Sequence, residues 1–167
     1  MLDARGEFHF MIKEIDLQTR NLLKELFKLQ RVSYLIEAKL INFFNIPPLL
    51  ETIDDLAACG EKFLGYFQGD ELVGAVSFTI DGDVITICRM VVHPDHFRKG
   101  IAQSLLIDVE DRNKDIAIYQ VSTGKDNSPA KSLYLKSGYN YINDHEVATG
   151  LFISHFEKRV LGVDRQL

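Results

Sequence analysis

The sequence contains few of the residues that define several classes of protein. Its 167 residues include no tryptophan, three methionines and two cysteines. Cys59 and Cys88 are too few for a disulfide framework and lack the spacing of a zinc site. His93 and His96 have metal-ligand spacing, but they lie in a proline-containing loop with no further ligand group. We therefore expect no metal, and two buried cysteines in a reducing cytosol.

Long apolar runs and an excess of positive charge are also missing. No run approaches the roughly 18 apolar residues that span a bilayer, and the N-terminus has no apolar signal core behind a basic start. The 19 Lys and Arg against 24 Asp and Glu give a net charge of −5. This balance argues against nucleic acid or an anionic membrane as partner. We expect a cytoplasmic protein that holds any anionic ligand locally.

The sequence does contain enough apolar material for one core. Hydrophobic residues make up 46% of the chain and charged residues 26%, which excludes intrinsic disorder. The length is close to that of a typical single domain, and no repeat or linker divides it. We therefore predict one domain over residues 1–167.

The first half of the sequence predicts a strand, a helical arm and a meander of strands. Residues 8–15 alternate in hydrophobicity, and residues 18–44 have apolar residues at helical spacing, with a break near residues 31–34. Thr52 opens a short helix that ends at Gly60. Three β-rich runs separated by tight turns follow at residues 62–68, 71–80 and 84–92, which predicts antiparallel pairing.

The second half alternates between helices and strands. We predict a helix from Ile101, a strand at 116–121, a helix at 129–137, and strands near 139–142 and 151–156. Together the two halves predict an α/β (α+β) fold, with a mixed and mostly antiparallel sheet flanked by helices. The helical crossover joins two parallel strands and places the preceding loop at the carboxyl end of a strand, where such sheets bind ligands.

That loop has features of an anion-binding site. Gly100 and Ala102 let a ligand approach the backbone, and the first amides of the following helix suit a pyrophosphate. His96, Arg98 and Lys99 add positive charge to an acidic protein. On spacing alone, a tight turn with a solvated basic face explains the segment equally well. A Walker loop is excluded because no GxxxxGK[S/T] segment is present.

Residues 92–102, with the sequence VHPDHFRKGIA, are followed by Leu105 and Leu106. This segment resembles the acetyl-CoA-binding motif of the GNAT N-acetyltransferase superfamily, Q/R-x-x-G-x-G/A after a V-x-P strand end. Phe97 stands where the family usually has Gln or Arg, and Arg98 follows one place later. Since the family binds pyrophosphate mainly through backbone amides, this departure affects a side-chain contact.

A second segment, at residues 127–139, resembles the family's other cofactor motif, N-x-x-A-x-x-x-Y-x-x-x-G-F, with Tyr139 in place of Phe. Local chemistry independently predicts a helix here, with Ser128 as its N-cap and Gly138 just past its end. Asn127 would then lie outside the cap. Taken alone, Asn127 could be a turn former and Tyr134 a core aromatic.

The resemblance implies an N-acetyltransferase, monomeric or homodimeric, that transfers an acetyl group from acetyl-CoA to a primary amine of a small molecule, peptide or protein. It implies that Tyr134 protonates the departing thiolate. The residues expected to bind the cofactor are Met90, Val91, Val92, Phe97, Arg98, Lys99, Gly100, Ile101, Ala102, Asn127, Ala130 and Tyr134.

The sequence leaves the general base open. The three central predicted strands contain no Asp or Glu apart from residues at their edges, so a water chain or a carboxylate from Glu51, Asp54 or Asp55 remains as an alternative. This gap would also fit a non-catalytic acyl-CoA-binding regulatory domain. A nucleotide-binding module is a third alternative, which predicts stabilisation by ATP or NADH and not by CoA.

Overall fold

The computed structural model describes residues 10–42 and 47–160. The strands are β1 (Phe10–Ile15), β2 (Lys62–Gln68), β3 (Glu71–Asp81), β4 (Val84–Val92), β5 (Ile118–Gly124), β6 (Asn140–Ala148) and β7 (Leu151–Arg159). The helices are α1 (Arg20–Ile41), α2 (Pro47–Leu50), α3 (Ile53–Ala57), α4 (Ile101–Arg112) and α5 (Ser128–Lys136), with a short 3₁₀ turn at Pro94–His96.

The strands form one sheet in the order β1-β2-β3-β4-β5-β7-β6. Strands β4 and β5 pair in parallel, and the other neighbouring strands of the described chain pair antiparallel. The predicted mixed sheet and helical crossover are therefore confirmed. The two tight turns of the meander contain Gly69 and Gly82, both at positive φ, a conformation that glycine adopts at no steric cost.

Helices cover the sheet on both faces. Helix α1 packs on β1–β4 through a stripe of side chains at most 5% exposed that includes Leu26, Gln30, Tyr34 and Ala38. Helix α4 packs on the other face, where Leu105, Leu106 and Val109 join a core that also contains Tyr134 of α5. Each helix buries its apolar side by this spacing of three to four residues.

Strand β4 contains a β-bulge where it pairs with β3. Ser77 of β3 is opposite Arg89, and the next residue, Phe78, is opposite Ile87, so that Cys88 is an extra residue. A bulge bends its strand and increases the local twist. Pairing between β4 and β5 ends at Ile87 and Val121, although β5 continues along β7 as far as Gly124. The two parallel strands therefore separate beyond this point.

Several predicted details need correction. Helix α1 is unbroken through residues 31–34, because its buried stripe continues there; the predicted continuation to residues 43 and 44 lies outside the described residues. Asn127, not Ser128, caps α5, because its side chain accepts a hydrogen bond from the Ala130 amide. Cys88 is exposed in the bulge and Cys59 is half-buried, so the expectation of two buried cysteines was wrong.

Candidate active site

A cleft of about 620 Å³ opens where β4 and β5 separate. Helix α1 and the segments before β2 line one side of it, and α5 and the turn of the β6–β7 hairpin line the other. Its lining includes Tyr34, Glu37, Glu51, Glu61, Cys88, Arg89, Met90, Ser122, Thr123, Gly124, Asn127, Ala130, Leu133, Tyr134, Val147, Leu151 and Ile153.

Tyr134 lies in the wall of the cleft that α5 forms. Its side chain is 4% exposed and its ring contacts those of Tyr139 and Phe156, with centroids 5.8 and 6.0 Å away. No hydrogen bond joins its hydroxyl to a residue in the described part of the chain. Burial, and to a smaller extent the nearby Glu37 carboxylate, raises the pKa of Tyr134 well above its usual range. The phenol is therefore protonated at neutral pH and has an unused proton to donate.

Asn127 lies at the start of α5 and is almost fully buried. Its Oδ1 accepts a hydrogen bond from the Ala130 N–H at 3.2 Å, which fixes the side chain as the helix cap. The Asn127 side chain also lowers the pKa of the Glu37 carboxyl, which lines the same cleft from α1.

The N-terminus of α4 lies beyond the carboxyl end of β4. Gly100 has a φ of 77°, and the helix has no side-chain cap. The first amides of a helix have no partner within it, and the helix dipole makes this end favourable for an anion. A Cβ built on Gly100 would meet no protein atom within 4 Å. The backbone here is thus open to a ligand.

The structure brings Met90, Asn127, Ala130 and Tyr134 together in the cleft, as their common assignment to the cofactor requires. The segment from Phe97 to Ala102 lies outside the cavity lining, at the start of α4. Two other residues expected to bind the cofactor, Val91 and Ile101, have side chains that are buried in the two cores, at 1% and 4% exposed. A ligand could therefore contact only their backbone. The chain therefore offers two adjoining regions for one extended ligand.

Two carboxylates in the cleft, Glu37 and Glu61, were not among the candidates from sequence. Glu37 lies on α1, outside both cofactor motifs, and is half-buried in the lining of the cleft. The available signal was its position one turn after the buried Tyr34. Of the carboxylates left open, Glu51 lines the cleft. Asp55 instead accepts a hydrogen bond from the Thr52 amide in the capping box of α3.

Arg89 holds Glu51 and Glu61 in place. Its Nη1 and Nη2 donate to the Glu51 carboxylate at 2.6 and 2.8 Å. Its Nε and Nη2 donate to Glu61 at 2.9 and 3.1 Å, and Nη1 also donates to Gln30 of α1 at 3.0 Å. Burial lowers the pKa of the guanidinium, but the bonds to both carboxylates outweigh this effect and raise the pKa overall. Arg89 thus joins β4 to α1 and to the segments before α3 and β2 at the edge of the cleft.

Within residues 10–42 and 47–160, no group of three or more His, Cys, Asp or Glu side chains is placed to hold a metal ion. Over the same residues, no helix combines the length and apolar character needed to cross a membrane.

A family model described as "Acetyltransferase (GNAT) family" matches residues 23–139, which includes both segments singled out above. The chain belongs to the GNAT acetyltransferase family. The match covers most of α1, the central strands and α5, and so includes the cleft lining except for the part that the β6–β7 hairpin supplies.

Individual proteins and solved structures are also similar to this chain. The UPF0157 protein YqkA of Bacillus subtilis is 38% identical over 146 residues, which are 87% of this chain and 43% of that protein. The chain thus spans less than half the length of this relative. The crystal structure of the PaiA N-acetyltransferase from Thermoplasma acidophilum in complex with coenzyme A has a TM-score of 0.73 at 20% identity, covering 91% of this chain and 99% of that one.

The crystal structure of the ribosomal-protein-S18-alanine N-acetyltransferase from Escherichia coli is similar to the same degree. Its TM-score is 0.73 at 14% identity, with 93% of this chain and 98% of that chain covered. At such identities the likeness establishes the fold, and the particular substrates of these enzymes do not transfer with it.

Proposed function

We propose that the chain transfers an acetyl group from acetyl-CoA to a primary amine by direct attack in a ternary complex. The observation that carries this proposal is the cleft between the separated ends of β4 and β5, with the unpartnered Tyr134 hydroxyl in its wall. A volume of about 620 Å³ gives room for a thioester and an amine side by side.

The chain's own groups supply suitable contacts for acetyl-CoA. Beyond Ile87 the backbone of β4 has no partner on the side of β5, so the amides and carbonyls of Met90–Val92 can pair with the extended amide-containing arm of the cofactor. The open amides at the start of α4, next to Gly100, suit its pyrophosphate. Asn127 and Ala130 lie beside this path at the start of α5.

Tyr134 would act as the general acid. The amine nitrogen attacks the thioester carbonyl, a C–N bond forms, the C–S bond breaks, and the departing sulfur takes the phenolic proton. Burial keeps the phenol protonated until the C–S bond breaks beside it, and the departing sulfur can take its proton because the acidic nitrogen of the forming amide re-protonates the phenolate. The proton lost by the nitrogen then restores the phenol.

The non-catalytic alternative rested on the absence of a carboxylate from the central strands. Glu37, Glu51 and Glu61 reach the cleft from neighbouring segments, so this absence no longer favours it.

The test is acetyl transfer by the purified chain. Acetyl-CoA is incubated with amino acids, polyamines, aminoglycosides and peptides with free N-termini, and release of the CoA thiol is followed together with the mass of the acetylated product. We expect thiol release that depends on one of these amines and exceeds the rate without amine. Saturable CoA binding with no transfer to any class of amine would instead support the non-catalytic alternative.

A further inference from the structure

The carboxylate of Glu37 has no counter-ion among the described residues, although it is half-buried. It is half-buried in the wall of the cleft, and it forms no ion pair with any residue in the described ranges. Loss of hydration disfavours an isolated carboxylate, and burial accordingly raises the pKa of Glu37, with the Asn127 side chain opposing the rise. A cation entering the cleft would supply the missing partner.

Arg89 cannot be that partner, and it cannot bind an acidic ligand either. A guanidinium has five N–H donors, and those of Arg89 are all used by Glu51, Glu61 and Gln30. A ligand carboxylate would therefore find no free donor on it.

The charge of the cleft points in the same direction. The charged residues in its lining are Glu37, Glu51, Glu61 and Arg89, so with the acids ionised three negative groups face one positive group. The other titratable groups in the lining are the phenols of Tyr34 and Tyr134, from α1 and α5, and the Cys88 thiol of β4; burial raises the pKa of all three, which are neutral when protonated. The acceptor side of the cleft is thus negative overall and favours positively charged ligands.

This inference rests on the proposed acetyl transfer and deepens it. We propose that the acceptor is a cationic amine without a carboxylate, that its ammonium group binds to Glu37, and that Glu37 accepts the proton whose loss frees the nitrogen lone pair. Glu37 and the Tyr134 hydroxyl line one cleft from opposite walls. A nitrogen held between them would have a base on one side and the acid for the leaving group on the other.

The protons balance in this scheme. The ammonium gives one proton to Glu37, which passes it to water after the product leaves. The neutral amine attacks the thioester carbonyl and the C–S bond breaks, with the Tyr134 proton going to sulfur. The nitrogen, now part of an amide, loses its second proton, which returns to Tyr134. The net products are the acetylated amine, the free CoA thiol and one released proton.

The experiment compares three acceptors of similar length that differ in the charge of one end: diaminobutane, pentylamine and aminobutanoate, each with a terminal amino group. We expect kcat/KM to fall in that order. The key variant is Glu37→Gln, which keeps the size of the side chain and removes its charge. Glu25→Gln makes the same change at an exposed position of the same helix and serves as the matched control.

With diaminobutane, we expect Glu37→Gln to lower kcat/KM by about 10²-fold or more, with an unchanged Kd for acetyl-CoA and unchanged thermal stability or better. The pH profile should also change. In the wild type the rate falls as the pH drops through the pKa of Glu37, whereas the variant, lacking a base, should gain rate with pH up to the pKa of the amine. Glu25→Gln should behave as the wild type.

A binding measurement separates this inference from the proposed function. Diaminobutane is titrated calorimetrically into the wild type and Glu37→Gln, each saturated with CoA. Weaker binding by the variant would support the ammonium site. If the wild type also transferred no acetyl group, the ammonium site would stand and the transferase proposal would be refuted. Acetyl transfer by Glu37→Gln at the wild-type rate and with the wild-type pH profile, or a preference for aminobutanoate, would overturn the inference and leave the transferase proposal standing.

Discussion

Tyr134 and Tyr139 form a natural pair for testing a single hydroxyl. Both side chains are at most 4% exposed and their rings touch, but only Tyr134 lines the cleft. The Tyr139 hydroxyl is buried without a hydrogen-bond partner in the described chain. Replacing either residue by Phe removes the hydroxyl and keeps the ring packing. The two variants therefore differ mainly in whether the lost hydroxyl faces the cleft.

We expect Tyr134→Phe to lower kcat by about 10²- to 10⁴-fold, the usual contribution of a general acid, with little change in the Kd for acetyl-CoA. Tyr139→Phe should leave kcat unchanged and keep or improve stability, because it removes an unsatisfied buried group. Steady-state kinetics and urea unfolding of both variants check this. Equal loss of rate in both, or loss of stability alone in Tyr134→Phe, would make Tyr134 a packing residue.

Gly100 allows a test of the loop at the start of α4. Its φ of 77° disfavours any side chain, at a cost of about 1–2 kcal/mol, yet the space around it is open. Gly100→Val should therefore fold less stably and lose CoA binding, measured by calorimetry, because its methyl groups would fill the space of the pyrophosphate. Gly82→Val introduces the same strain in a remote hairpin, at a φ of 58°, and should bind CoA normally. Normal CoA binding by Gly100→Val would place the pyrophosphate elsewhere.

Among the secondary-structure elements, Arg89 ties β4 to α1 through Gln30 and to the segments before α3 and β2 through Glu51 and Glu61. Removing one partner of a buried ion pair leaves the others uncompensated, which typically costs about 3–5 kcal/mol. Because the Arg89 side chain is 12% exposed and those of Glu51 and Glu61 are similar, we expect Arg89→Met to lie near the lower end of that range.

Urea unfolding of Arg89→Met measures that loss. The triple variant Arg89→Met, Glu51→Gln, Glu61→Gln removes the charges together and should recover much of the stability. A triple variant no more stable than Arg89→Met would show that the loss comes from packing and not from unpaired charge.

The elements also show what could be predicted from the sequence. The bounds of β2 and β4 agree with prediction because turn residues and short β-rich runs coincide there. The sequence predicted a break in α1 because the polar Gln30 and Arg31 interrupt its apolar pattern. The prediction was wrong because Gln30 is buried and accepts a hydrogen bond from Arg89, which lies 59 residues away in the sequence. Strand β6 is longer than predicted. Its residues are exposed at the edge of the sheet, so its sequence lacks the alternation of apolar and polar residues from which a half-buried strand is predicted.

The candidate site was predictable in the same uneven way. Tyr134 and Asn127, which line the cleft, were candidates because both belong to one short motif within a single stretch of sequence. Glu37 and Glu61 were missed because their neighbourhood exists only after α1 and β2 have packed against the sheet. No short-range pattern marks a carboxylate whose partner lies on another element.

At the scale of the whole molecule, ligand binding should increase the thermal stability of the folded chain. A ligand present at about 100 times its Kd stabilises the folded state by about 2.7 kcal/mol, which raises the Tm of a domain of this size by several degrees. We expect this shift with CoA and acetyl-CoA in differential scanning calorimetry, without added metal. ATP and NADH serve as controls that should have a smaller effect. A CoA shift no larger than theirs would support the nucleotide-binding alternative.

The extra residue in β4 suggests how the opening in the sheet came about. With Cys88 removed, Arg89 would follow Ile87 directly, and both would keep their present partners on β3 and their present sides of the sheet. The shortened strand could then run straight and continue its parallel ladder with β5 at Ser122. We expect the deletion variant to fold, to protect more amides from hydrogen exchange along β4 and β5, and to lose CoA binding. On this view the cleft depends on one surplus amino acid, and a single codon deletion would close it into a continuous sheet.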